Sequence, residues 1–145
     1  MPAEVAWAHA LTPELMRAPD MIAVADHTGR AVEEVARAFH ALAERLHIVW
    51  LLGALDDLPQ PTRTQRWAVQ AVREDCLEAL AELARSALVG ARDGQAATAA
   101  VEAYLDDHAA QGRRLAAVTG SLTVEGTGDL PALMLAVRAL RALAA

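Results

Sequence analysis

The sequence predicts an all-α fold, a compact bundle of about seven helices with no sheet. Three observations carry that expectation. Thirty-five of the 145 residues are alanine, while isoleucine is scarce and Phe39 is the only phenylalanine, so helix formers dominate and strand formers are few. Apolar residues recur at three- and four-residue spacing through most of the chain. Glycine and proline gather between those segments, at Pro59-Gln60-Pro61 and from Gly90 to Gly94. No 20-to-50-residue period repeats, which argues against a solenoid. The length suits one domain, residues 1–145, able to bury roughly 70% of its unfolded surface.

The elements follow in order. Glu4 to Leu11 has helical spacing at Val5, Ala8 and Leu11. Thr12-Pro13-Glu14 reads as a cap with proline at the first position of a second, short helix, which Pro19 interrupts. The chain restarts near Met21, and Gly29 is the expected stop. A third helix runs from about Ala31 to Leu46, with Val32, Val35, Ala36, Phe39, Leu42, Ala43 and Leu46 inward. The fourth spans about Ile48 to Leu58. Thr62 or Thr64 caps the fifth and longest, about Arg63 to Val89, striped by Val69, Val72, Cys76, Leu80, Leu83 and Ala87. Its exposed side carries Glu74, Glu78 and Glu82, like charges that repel by a few tenths of a kcal/mol each, roughly. A sixth helix is expected from about Ala96 to Val118, and Thr119 to Gly128 as the one true loop. Asp129 then caps a last helix with Leu130, Leu133, Met134, Val137 and Leu140 on one face.

Composition narrows the chemistry. Lysine is absent, since all thirteen basic residues are arginine, so no mechanism that needs a lysine amine can operate here. A net charge of −6 gives little help in binding phosphates or anionic lipid. Cys76 is the single cysteine and has no partner for an internal disulfide, so a reducing, cytoplasmic setting is expected. Met1 to Ala10 lacks a basic signal-peptide start, and no uninterrupted apolar run approaches a membrane span.

Candidate sites are few. His40, Glu44 and His47 share a helical face, and Glu44-Arg45-Leu46-His47 matches the Glu-x-x-His element of di-iron bundles, but a second such element is missing. A solvated helix face is the simpler reading. Asp106-Asp107-His108 brings two carboxylates beside an imidazole, yet adjacent helical residues point in different directions. Cys76 falls in the apolar stripe, where a buried, unreactive thiol is expected, and Glu74-Asp75 would raise its pKa. Gly126-Thr127-Gly128 comes nearest to a phosphate-binding loop but follows no strand, and neither a Walker lysine nor Gly-x-Ser-x-Gly occurs. Trp7, Trp50 and Trp67 are expected to pack in a core of otherwise small residues, with Trp7 the best interface candidate. The expectation is no catalytic, cofactor-binding or metal-ligating residue in this chain.

Val24 to Arg37 imitates a helix-turn-helix. The would-be recognition helix presents Glu33 and Glu34 where base contacts are made, with only Arg30 and Arg37 near enough to meet phosphate. That chemistry argues against nucleic acid and for a packing unit, with Val32, Val35 and Phe39 inward.

A more specific pattern runs through the same residues. Asp20 to Ala25, Thr28 to Phe39, Ala43 to Leu46, Trp50-Leu51, Leu58-Pro59, Arg66-Trp67-Ala68, Arg73 to Leu77 and Asp129 to Leu140 together resemble the C-terminal helical domain of the large bacterial NAD-specific glutamate dehydrogenases. Order and spacing, not any single motif, carry the resemblance over nearly the whole chain. Ala31 departs from a capping serine, His40 from an aromatic and Cys76 from leucine, so a weakened cap is expected before the third helix.

The resemblance implies a parent that oxidatively deaminates L-glutamate to 2-oxoglutarate and ammonia with NAD. Its chemistry uses substrate-cleft lysines and a dinucleotide-binding α/β domain, neither of which this sequence holds. The resemblance therefore implies a non-catalytic structural or assembly domain. Its partners would be the remainder of the dehydrogenase chain or neighbouring subunits, with no nucleic acid and no membrane. A free-standing helical interaction module and a helix-turn-helix DNA binder stay open as alternatives, as does a bundle enzyme with a histidine–carboxylate metal site.

Overall fold

Seven helices and no strand account for the regular structure among the residues described by the computed structural model, 19–92, 94–125 and 129–144. The two helices expected before Pro19, with Trp7, lie outside the described residues.

Helix α1 (Pro19–Thr28) closes where the Thr28 hydroxyl donates to the Val24 carbonyl at 2.7 Å. Gly29 then turns the chain at φ 69°, a left-handed conformation that side chains resist, as expected for a glycine stop. Helix α2 (Val32–Arg45) starts from Ala31, which is extended and offers no side-chain cap, so the weakened cap is present. Glu33 and Glu34 in its first turn favour the positive end of the helix dipole. Val35, Ala38, Phe39, Leu42 and Ala43 are buried. Val32, expected to face inward, is 38% exposed: it is the first helical residue, and Val35 and Phe39 close the core one turn later.

The corner after α2 turns on His47, the only described non-glycine residue with positive φ (55°). Helix α3 (Ile48–Asp56) leaves at 74° to α2 and buries Ile48, Val49, Leu51, Leu52, Gly53 and Leu55. Among the described residues no single helix is long and apolar enough to cross a membrane.

Helix α4 (Arg63–Val89) has the expected bounds and organises the rest. Thr62 and Gln65 form a capping box: the Thr62 hydroxyl accepts the Gln65 N–H at 3.1 Å and the Gln65 side chain accepts the Thr62 N–H at 3.0 Å. Arg73 donates to Asp56 at 2.9 Å, tying α4 to the end of α3.

Two expectations fail in the next stretch. The single helix from Ala96 to Val118 is two, α5 (Ala97–Asp107) and α6 (Ala109–Glu125), broken at His108. The His108 N–H reaches both the Tyr104 and Leu105 carbonyls, at 3.1 and 3.2 Å, and its ring stacks on Tyr104 with centroids 4.0 Å apart. This local bonding satisfies the end of α5, an alternative to continuing the helix that the apolar spacing does not register. The loop expected from Thr119 to Gly128 is helical as far as Glu125, because Thr119 hides its hydroxyl against the Leu115 carbonyl (3.0 Å) and Leu122 is buried. Residues 126–128 lie outside the described set.

Helix α7 (Leu130–Ala144) starts as expected, with the Asp129 carboxylate accepting the Ala132 N–H at 2.9 Å. Leu133, Ala136, Val137, Leu140 and Leu143 face inward, whereas Met134, assigned to the same face, is 44% exposed. A single buried cluster draws residues from all seven helices. Helix α4 packs against α1, α2, α3, α5 and α7, and α6 leans on α5 and α7.

Candidate functional site

Chemistry needs side chains that converge, and the candidates from sequence diverge. His40, Glu44 and His47 are all solvent-exposed, and His47 serves the backbone turn into α3. Asp106 and Asp107 point to solvent, while the half-buried His108 places its Nδ1 2.8 Å from the Tyr104 carbonyl. Among the described residues no three histidine, cysteine or acidic side chains are grouped to hold a metal ion.

Cys76 is fully buried in α4. Burial pushes its thiol up from 9.0 to about 12, the Arg73 charge pulls the other way, and Asp75 adds to the rise. The expected direction holds, but loss of solvent outweighs the carboxylate. The thiolate that a nucleophile needs is suppressed at neutral pH. Tyr104 is raised too, by burial first and against a side-chain hydrogen bond from Ser86. Its hydroxyl donates to the Leu143 carbonyl at 2.8 Å, holding α5 to the end of α7.

Helices α1 and α2 join across the Gly29 turn and pack against each other. Arg30 donates to the Gln95 carbonyl at 2.7 Å and reaches Glu34 at 3.4 Å, with its side chain only 17% exposed. Glu33 and Arg37 are exposed on α2. The arginine best placed for phosphate is thus committed inside the protein.

A groove of about 230 Å³ lies between α1 and α4, lined by Ala23, Val24, His27, Glu78, Ala81, Glu82 and Arg85. It is smaller than the roughly 300–1,000 Å³ of ordinary small-molecule sites and carries charges of both signs.

What the surface does offer is apolar side chains on otherwise polar faces. Trp50 is half-buried against the core, but Trp67 is 67% exposed, contrary to its expected burial. The Arg63 guanidinium lies over its ring at 5.1 Å. The signal was available in the sequence: Trp67 stands two residues before Val69, about 200° around the helix from the buried stripe. Exposed Trp and Arg together are the residues most enriched at protein contacts. The acidic row on the same side is tempered, since Arg141 reaches Asp75 at 3.0 Å and Glu78 at 3.4 Å, and Gln70 donates to Glu74 at 3.2 Å.

The family model described as glutamate dehydrogenase, C-terminal, fits residues 1–142. No curated protein matches the chain. The family match spans every described helix but the last two residues of α7. The chain belongs to the glutamate dehydrogenase C-terminal domain family.

Proposed function

We propose that this chain works as one non-catalytic helical domain of an NAD-dependent glutamate dehydrogenase, bracing the catalytic region or mediating subunit contacts. The family match supports the parent, and the resemblance to the large NAD-specific enzymes supports the cofactor. The observation that carries the non-catalytic role is the composition of the interior: of the buried residues described, Thr119 alone is polar, and its hydroxyl is used within its own helix. The shared core of all seven helices supports a single folding unit.

NAD belongs, on this reading, to the rest of the parent enzyme. The described residues contain no strand to lead into a pyrophosphate-binding turn, and the sequence contains no lysine for the substrate cleft. On the same reading, oxidative deamination of L-glutamate to 2-oxoglutarate and ammonia belongs to the rest of the parent enzyme. A single buried thiol fits a reducing, cytoplasmic setting.

Removing this domain from the parent dehydrogenase tests the proposal. Sedimentation, thermal unfolding and glutamate-dependent NAD reduction are measured on the full and shortened enzymes. The shortened enzyme should lose subunit assembly or unfold at lower temperature, and the 145-residue chain alone should reduce no NAD. Unchanged assembly, stability and turnover after deletion overturn it.

A further inference from the structure

We propose that the outward face of α4 pairs with the same face of a second copy of this chain, antiparallel, about a two-fold axis between Gln70 and Ala71. This deepens the subunit-contact part of the reading above and rests on it.

Arg63, Trp67, Gln70, Ala71, Glu74 and Glu78 are all exposed and follow one another along one stripe at three- or four-residue steps, apart from the central pair. The N-terminal half of this stripe is cationic and aromatic, with Arg63 over the Trp67 ring; the C-terminal half is anionic. A two-fold contact is isologous, so the stripe must complement its own reverse. About an axis between Gln70 and Ala71, Arg63 of each copy falls level with Glu78 of the other, and Trp67 level with Glu74. Gln70 and Ala71 meet at the crossing, where the small alanine lets the helices approach.

Other occupants fit less well. A parallel copy would set Glu74 and Glu78 against themselves. The neighbours already bonded to the stripe do not block it: Arg141 reaches Glu78 at 3.4 Å, past the usual length of a strong charge-assisted bond, and Gln70 holds Glu74 from within the stripe. The net charge of −6 opposes association overall, but charges farther apart than roughly 8 Å are screened at physiological salt, which leaves the local pattern to set the register.

Charge reversal tests this with an internal control. Arg63 and Glu78 are fifteen residues apart on one helix, about 22 Å, so neither can compensate for the other within a single copy. Sedimentation equilibrium of the 145-residue chain should show a dimer. Arg63→Glu alone and Glu78→Arg alone should each weaken it about tenfold. Arg63→Glu with Glu78→Arg in the same chain should restore it, because the reversed pair meets across the axis. Ala71→Glu, which brings two carboxylates together at the crossing without touching the core, should abolish it. A chain that stays monomeric at every concentration overturns the proposal, as does a double variant no tighter than the singles. A monomeric chain would leave the bracing role in the parent standing, so the two ideas fail separately.

Discussion

The two sides of α4 differ sharply in what they carry. Its inner side sets Val69, Val72, Cys76, Leu80, Leu83 and Ala87 against five other helices. Its outer side is charged and carries Trp67, which stays exposed with the Arg63 guanidinium over its ring. One uninterrupted 27-residue helix thus separates two jobs by angle rather than by position along the chain. The inner side packs the core, and the outer side is exposed, tied to α7 through Arg141. Substitutions on the two sides should therefore differ in kind.

The largest effect belongs to the inner side. Leu80 is fully buried, and Leu80→Ala should cost about 3 kcal/mol in urea unfolding, through lost burial plus the cavity left behind. A loss well under 1 kcal/mol would mean that the centre of α4 is not the packed core described here.

Cys76 sharpens the same contrast through pH. The folded thiol is harder to ionise than the unfolded one, so its contribution is complete below 9.0 and is lost as pH rises toward about 12. Near about pH 11 that loss should reach roughly 2–3 kcal/mol. Cys76→Ala should flatten most of this alkaline decline, leaving the smaller share from Tyr104, whose hydroxyl is also raised by burial. An unaltered alkaline profile in Cys76→Ala would contradict the burial of the thiol.

A smaller effect lies where α5 meets α7. Tyr104→Phe removes the 2.8 Å bond to the Leu143 carbonyl and should cost about 1 kcal/mol, with faster amide exchange in the last turn of α7. No change in either would remove that bond from the account.

How much of this could be read from the sequence depends on which force sets each feature. Helix α4 had the right bounds because capping and periodicity agree: Thr62 and Gln65 form the box, and the stripe starts one turn later. Asp129 and Gly29 were legible for the same reason, being local devices with local signals. The break at His108 was not, because the apolar spacing runs on through it and the stacking of His108 on Tyr104 is local chemistry that spacing does not show. The helical run beyond Thr119 was hidden by composition, since a threonine that bonds back to Leu115 looks like a loop residue until that bond is seen.

Burial was legible for stripes and not for their margins. Val35 and Phe39 are where the pattern put them, while Val32 and Met134 sit at the edges of their stripes and remain exposed. Trp67 is the instructive case. Its size argued for burial, its angle from Val69 argued against, and the angle prevailed. The candidate site followed the same rule: His40, Glu44 and Arg30 could be named from sequence, but not that Arg30 would be engaged by a carbonyl sixty-five residues away.

The most direct measurement compares Trp67→Ala with the native chain in equilibrium urea unfolding, at protein concentrations low enough to keep both monomeric. The two sides of α4 have separate roles only if loss of the largest outer side chain leaves the fold intact. The expected change is under about 1 kcal/mol, the share of an exposed aromatic with one arginine over its ring. A loss near the roughly 3–5 kcal/mol of a buried tryptophan would contradict it and place Trp67 in the core.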